Sequence, residues 1–288
     1  MIVDKLYENV EEKGHVCLGL DTDYDYIPKY FAEDFKSKGE AVYNFNKEII
    51  DSTKDSVACF KVQIAYYEAL GLEGLKAYKK TLDYIKKNNT MVISDIKRGD
   101  IFKTAEMYAK GHFEGDFESD YLTLNSYMGL NDSIEPFLPY VEKSDKGVFV
   151  LVRTSNKGAN DFQYIKNAQG KPVYEIVGEK LNQLAGKYMG KYGFSSIGGV
   201  VGCTNNEESR KLRSKIENLF LLIPGFGAQG GGAKDVVPYL IKGNGGVVNS
   251  SRGLLLAYKK EDKGYKNFAK ASKNAVEVMR DSIIKELK

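Results

Sequence analysis

Eight short apolar runs, each followed by a stretch with helical spacing, constrain this chain most. They are His15–Asp21, Ser56–Gln63, Thr90–Lys97, Tyr121–Asn125, Gly147–Thr154, Ile197–Gly202, Asn218–Gly225 and Gly245–Ser251. Most are near-continuous rather than alternating in polarity, as expected of parallel strands covered by helices. Helical spacing recurs between them, as in Glu73–Lys87, Lys103–Phe113, Val173–Tyr192 and Ala233–Lys242, and Asn267–Leu287 closes the chain. A strand–helix unit repeated in this way predicts an α/β protein, a (β/α)8 barrel. An open doubly wound sheet is the alternative, but the first strand lacks a following dinucleotide glycine pattern. All 288 residues read as one domain, with a longer excursion at 155–196. Its first part, SNKGANDFQYIKNAQGKP, clusters Asn, Gly and Pro as loops do.

In such a barrel the active site lies at the carboxyl ends of the strands. Those ends carry Asp21 on the first strand, Lys61 on the second, and Asp95 and Lys97 on the third, with Asp100 just after. The segment Ser94–Ile101, SDIKRGDI, stands out. Asp95 and Lys97 are two apart, so on a strand they share a side. A carboxylate and an ammonium at the end of a buried strand carry a desolvation cost, which points to chemistry rather than support. The fifth strand runs into Arg153, Thr154 and Ser155, the seventh into PGFGAQGGG, and the eighth into Asn249, Ser250, Ser251 and Arg252. Glycines let a backbone approach a ligand and present N–H groups, Gln229 adds an amide, and Arg252 a planar cation suited to phosphate. Each feature has a plainer reading in isolation: Asp21 as a helix cap, Lys61 snorkelling to solvent, the glycines as a flexible turn. Charges on several strand ends facing one mouth favour a phosphate-binding active site.

Composition removes other classes. The 42 basic and 39 acidic residues are spread evenly for a net charge of +3, so nothing indicates nucleic acid or an anionic membrane. No apolar run approaches a bilayer span, and the first segment, MIVDKLYENVEEKGH, reads as a charged helix without a signal core. The three cysteines, Cys17, Cys59 and Cys203, sit in strand-like runs without a metal pattern and read as buried thiols in a reducing compartment. Two histidines leave little room for a His-rich metal site or a Ser-His-Asp triad. These features predict a cytoplasmic protein.

D-x-K-x-x-D-I after the third strand, a lysine in the second, PGFGAQGG after the seventh and Arg252 after the eighth together resemble the orotidine 5′-phosphate decarboxylase family, in its longer-chain branch. The D-x-K-x-x-D motif alone is shared with sugar-phosphate decarboxylases and a hexulose phosphate synthase. Gly-Ala-Gln-Gly-Gly and Thr-Ser-Asn tilt the resemblance toward the nucleotide enzyme. It implies decarboxylation of orotidine 5′-phosphate to UMP by a homodimer with shared active sites and without metal or cofactor. Lys61, Asp95, Lys97 and Asp100 match the family's alternating charged network, with Lys97 as proton donor and Asp100 serving the neighbouring subunit. Asp21, Lys61 and Thr104 match ribose-binding positions, Thr104 again from across the dimer. Ser155, with Thr154 beside it as the alternative, matches the residue that reads the pyrimidine; Gln229 and Arg252 match the phosphate grip.

These groups suit the reaction. Removing CO2 from carbon 6 of orotate leaves a carbanion that no carbonyl delocalises simply, and a lysine held there can stabilise the charge and then protonate it. The competing expectations are a metal-dependent sugar-phosphate decarboxylase or aldolase of the same suprafamily, and a non-catalytic nucleotide-binding barrel.

Overall fold

A computed structural model describes residues 1–203, 206–227, 230–261 and 264–288. Its strands are β1 (Val16–Gly19), β2 (Cys59–Gln63), β3 (Val92–Arg98), β4 (Tyr121–Leu124), β5 (Gly147–Arg153), β6 (Ser195–Val201), β7 (Leu219–Pro224) and β8 (Gly246–Ser250). They pair in sequence order, all parallel, and β8 returns to β1 to close the barrel. All eight expected strands are present, most of them shorter than the apolar runs that announced them.

The outer layer is helical, but less uniform than spacing suggests. Lys38–Thr53, Gly71–Lys87, Phe102–Phe113 and Phe268–Leu287 are full helices. The helix expected over Val173–Tyr192 ends at Ala185. Gly186 follows, and the chain then folds back so that Met189 bridges Ser195 at the entrance to β6. The helix expected over Ala233–Lys242 is one turn, Ala233–Val236, followed by a 3-10 turn, Val237–Tyr239, because Pro238 has no N–H to continue the ladder. Among the described residues, no helix is long and apolar enough to cross a membrane.

The main core lies between strands and helices. A second core fills the lower half of the barrel's interior with Cys59, Ile93, Tyr121, Phe149, Phe220 and Val247. Tyr121 and Phe149 stack there at 4.8 Å. The N-terminal helix Ile2–Lys13 seals this end with Ile2, Val3, Leu6 and Val10. All three cysteines are buried and unpaired; Cys203 lies just beyond β6 rather than within a strand. A solid floor leaves the opposite end, where the strands finish, as the open mouth.

Candidate active site

Side chains alternate along a strand, so the position two residues beyond each floor residue faces the interior one layer higher. On β2, β3 and β4 that step leads from Cys59, Ile93 and Tyr121 to Lys61, Asp95 and Thr123. The polar residues line a cavity of about 480 Å³ at the mouth. Lys61 donates to Asp21 Oδ1 at 2.7 Å and to Asp95 Oδ2 at 2.9 Å. Lys97 donates from Nζ to Asp95 Oδ1 at 2.6 Å. Acid and base thus alternate across three strands as Asp21, Lys61, Asp95, Lys97. Ser251, after β8, donates to the free oxygen of Asp21 at 2.8 Å.

Burial opposes charge on Lys61, but Asp21 and Asp95 outweigh it and raise its pKa well above the ordinary lysine range. Burial likewise opposes an ionised Asp95, yet Lys61 and Lys97 hold its carboxyl well below the usual carboxylate range. Both therefore remain charged at neutral pH. The exposures differ: the Lys61 and Asp95 side chains are 4% and 7% exposed, whereas Lys97 is 46% exposed. Lys97 is thus the ammonium that a ligand in the cavity can reach.

Lys97 meets Asp95 by a route that strand alternation does not describe. Its φ is 43°, in the left-handed region, and the β3–β4 register shifts between Ser94 and Arg98. The shared side expected for Asp95 and Lys97 is reached through this bulge, with the Lys97 N–H donating to Thr123 Oγ1 at 3.0 Å.

The opposite wall is apolar, with Leu151, Val200 and Leu222 facing the cavity. Thr154 and Ser155 both line it, but the Thr154 hydroxyl donates to Asn156 Oδ1 at 2.6 Å and accepts from Gln163 Nε2 at 2.7 Å. Thr154 is therefore committed to the excursion. Arg153 is fully buried and binds Glu208, the Gly202 carbonyl and Tyr239, bracing the rim instead of facing the ligand space. Tyr164 of the excursion donates to the same Glu208 at 3.2 Å.

Arg252 and the turn after β7 complete the lining. Gly225 and Gly227 have φ of 107° and 76°, which only glycine adopts freely. A Cβ on Gly231 would lie 2.4 Å from Cys203 Sγ, so the loop can run close against the segment after β6 only with glycine there. Gln229 falls outside the described residues.

Residues 14–266 match the model of the Orotidine 5′-phosphate decarboxylase / HUMPS family. The chain belongs to this family. An orotidine 5′-phosphate decarboxylase of Clostridium perfringens (strain SM101) is 62% identical over 283 residues, 98% of both chains. One from Clostridium acetobutylicum is 61% identical over 287 residues, 100% of both. Among solved structures, the Leishmania donovani OMP decarboxylase is 29% identical with a TM-score of 0.75, covering 97% of this chain and 98% of its own.

The positions expected from the orotidine 5′-phosphate decarboxylase family divide into two groups. Asp21, Lys61, Asp95, Lys97, Ser155 and Arg252 all line one cavity. Asp100 and Thr104 do not; Asp100 Oδ1 accepts from the Ile101 N–H at 2.8 Å, and Thr104 is exposed on the helix that follows. Thr123, Leu151 and Leu222 were not anticipated. They lie two residues beyond Tyr121, Phe149 and Phe220, floor residues that only the structure distinguishes from the rest of each apolar run.

Proposed function

We propose that this chain converts orotidine 5′-phosphate to UMP and CO2, the last step of de novo pyrimidine nucleotide synthesis, as a carboxy-lyase needing no metal or organic cofactor. What carries the reading is the Asp21–Lys61–Asp95–Lys97 array at the mouth, in a chain 62% identical along nearly its whole length to a protein named for that activity. As CO2 departs, an electron pair develops at carbon 6. The Lys97 ammonium meets that charge and then delivers its proton. Asp95 holds Lys97 on one oxygen and is balanced by Lys61 on the other, so Asp21, Lys61, Asp95 and Lys97 of one subunit are neutral together. The apolar wall of Leu151, Val200 and Leu222 suits the pyrimidine ring, and Ser155 suits its polar edge. Arg252 binds the phosphate together with backbone N–H groups of the glycine turn, and Gln229 is assigned there on the family's pattern. Phosphate binding serves the distant reaction by closing loops and excluding water.

The functional unit in this reading is a homodimer. Asp100 and Thr104 lie outside their own cavity, and Ile101, Phe102, Met107, Tyr127 and Met128 near them leave large apolar surface exposed. Docking a second copy on that surface would cover it and carry Asp100 and Thr104 to the neighbour's site. Three buried, unpaired thiols agree with a cytoplasmic location.

Purified protein given orotidine 5′-phosphate should consume the orotate absorbance at the same rate with and without a chelator. No consumption refutes the activity, and loss of turnover on chelation refutes the metal-free mechanism. Mixing Asp100→Ala subunits with Lys97→Ala subunits should restore part of the activity each lacks alone. Inactive hybrids, once shown to form, refute the shared site.

A further inference from the structure

We propose that Thr123 is a positioning residue that fixes where the Lys97 ammonium sits relative to Asp95 and so sets the efficiency of proton delivery; the proposal rests on the decarboxylase reading above. Ser94 pairs with Leu122 and Arg98 with Leu124, so Asp95, Ile96 and Lys97 together face the single β4 residue Thr123. Within that bulge the backbone ladder is interrupted. The Lys97 N–H finds the Thr123 hydroxyl instead of a β4 carbonyl, at 3.0 Å.

A hydroxyl has one hydrogen and two lone pairs. Because Thr123 Oγ1 accepts from the Lys97 amide, its own hydrogen is free to point at Asp95 Oδ1, 2.8 Å away. The same oxygen of Asp95 receives Lys97 Nζ at 2.6 Å. The result is a closed ring: Lys97 amide, Thr123 hydroxyl, Asp95 carboxylate, Lys97 ammonium. One residue is thus held at both its backbone and its side-chain end by a single buried threonine and a single carboxylate oxygen. Thr123 is 1% exposed, so water is poorly placed to take over the hydroxyl's bonds.

The ring matters because Lys97 is otherwise under-determined. Its side chain is half exposed, and a non-glycine residue at φ 43° is strained. Such a conformation persists only where its surroundings enforce it, and the Thr123 hydroxyl is the group bonded directly to that amide. Lys61, fixed between two carboxylates, needs no such help. Placement of the proton donor to within a fraction of an ångström is what converts a nearby acid into an effective one.

Thr123→Val keeps the shape and β-branching but removes both bonds, whereas Thr123→Ser keeps the hydroxyl. Expected for Thr123→Val is a fall in kcat of about 10- to 100-fold, the loss associated with hydrogen bonds to a charged group. KM should stay within about threefold, and Thr123→Ser should recover most of the rate. Should Thr123→Val not fold, Thr123→Ala against Thr123→Ser makes the same comparison. Wild-type kcat in the hydroxyl-less variant overturns the proposal, as does equal impairment of the valine and serine forms or a loss confined to KM. A crystal structure of Thr123→Val gives a readout independent of activity: Lys97 Nζ should leave Asp95, and its retention overturns the positioning role. If wild-type protein fails to turn over orotidine 5′-phosphate while that displacement is seen, the substrate assignment falls and the positioning role stands.

Discussion

Replacing Lys61 by methionine tests the charge array most directly. Methionine fills much of the lysine stem's volume, so the perturbation is chiefly loss of the ammonium that bridges Asp21 and Asp95. Breaking a buried pair from one side typically costs about 3–5 kcal/mol, because the remaining charge stays buried. Asp21 is 20% exposed and keeps Ser251, so it rehydrates readily. Asp95 cannot, but it keeps Lys97 and Thr123, which puts the expected loss near the lower end, about 3 kcal/mol at pH 7. The pH dependence then distinguishes lost electrostatics from poor packing. In the wild type the Asp95 pKa is depressed, so its contribution is present above the unfolded carboxyl pKa of about 3.9 and is lost as pH falls further. Without Lys61 burial is opposed by Lys97 and Thr123 alone, and the expected outcome is that the folded pKa rises above the unfolded one. The sign reverses: the stability deficit grows as pH rises through the raised pKa and shrinks as pH falls. Urea unfolding followed by tyrosine fluorescence, convenient in a chain with 20 tyrosines and no tryptophan, should show the gap between wild type and Lys61→Met narrowing between pH 7 and pH 5. The narrowing is at most about 1.4 kcal/mol per pH unit. Both proteins carry the same histidines, so their titration cancels in the difference. A deficit below about 1 kcal/mol at pH 7, or one unchanged down to pH 5, refutes the claim that Asp95 needs Lys61 as well as Lys97 to stay charged.

Gly19→Ala should reach the same array from behind. A Cβ there would lie 1.9 Å from Ser251 Oγ, forcing that hydroxyl off Asp21, and about 1–3 kcal/mol of stability should go with it. Adding Ser251→Ala should return part of that loss in thermal melts, and a double variant no better than Gly19→Ala would disprove the contact. Arg252→Ala should weaken calorimetric binding of UMP far more than that of uridine, and equal effects would remove Arg252 from the phosphate site. His112 is buried against Phe117, and burial, with Arg98 second, brings its pKa down to about 4. The unfolded imidazole protonates near 6.5, so stability present above that pH is lost as pH falls toward 4, by about 3 kcal/mol in all. His112→Gln should flatten this slope in urea titrations, and parallel wild-type and variant slopes would refute the assignment.

The barrel was legible because parallel strands buried on both faces must be apolar almost throughout, and few chains repeat that pattern eight times with helical spacing between. The charged side chains were legible for the same reason, since Lys61 and Asp95 interrupt runs that otherwise exclude charge. Thr123 gave no such signal: threonine is an ordinary strand residue, and its role depends on a register shift that appears only when β3 and β4 are paired. Leu151 and Leu222 were hidden differently, since an apolar residue in an apolar run reads as core whether it meets protein or ligand. Ser251 was visible at its strand end, but its bond to Asp21 joins residues 230 positions apart, a closure made by β8 returning to β1. The overlong helices at Val173 and Ala233 erred where glycine and proline punctuate a pattern that still repeats in hydrophobicity.

One structural rule accounts for how this mouth divides its work. Two residues above the apolar floor, β2, β3 and β4 turn polar with Lys61, Asp95 and Thr123, whereas β5 and β7 stay apolar with Leu151 and Leu222. A flat ring laid between these halves would meet fixed charges on one side and hydrocarbon on the other, with Arg252 after β8 at the boundary. The asymmetry has an electrostatic consequence. A ring filling the space between hydrocarbon and ion array would displace the water there, so in the proposed reaction each charge would act through a lower dielectric than in the open cavity and weigh more on a developing carbanion. It also explains why the array must be complete. At the same dielectric an unpaired member is expensive, and Asp21, Lys61, Asp95 and Lys97 each have an opposite charge within 2.9 Å. Introducing a carboxylate on the apolar side, as in Leu222→Asp, should therefore harm folding before chemistry, because Leu151 and Val200 beside it offer no charge to pair with it.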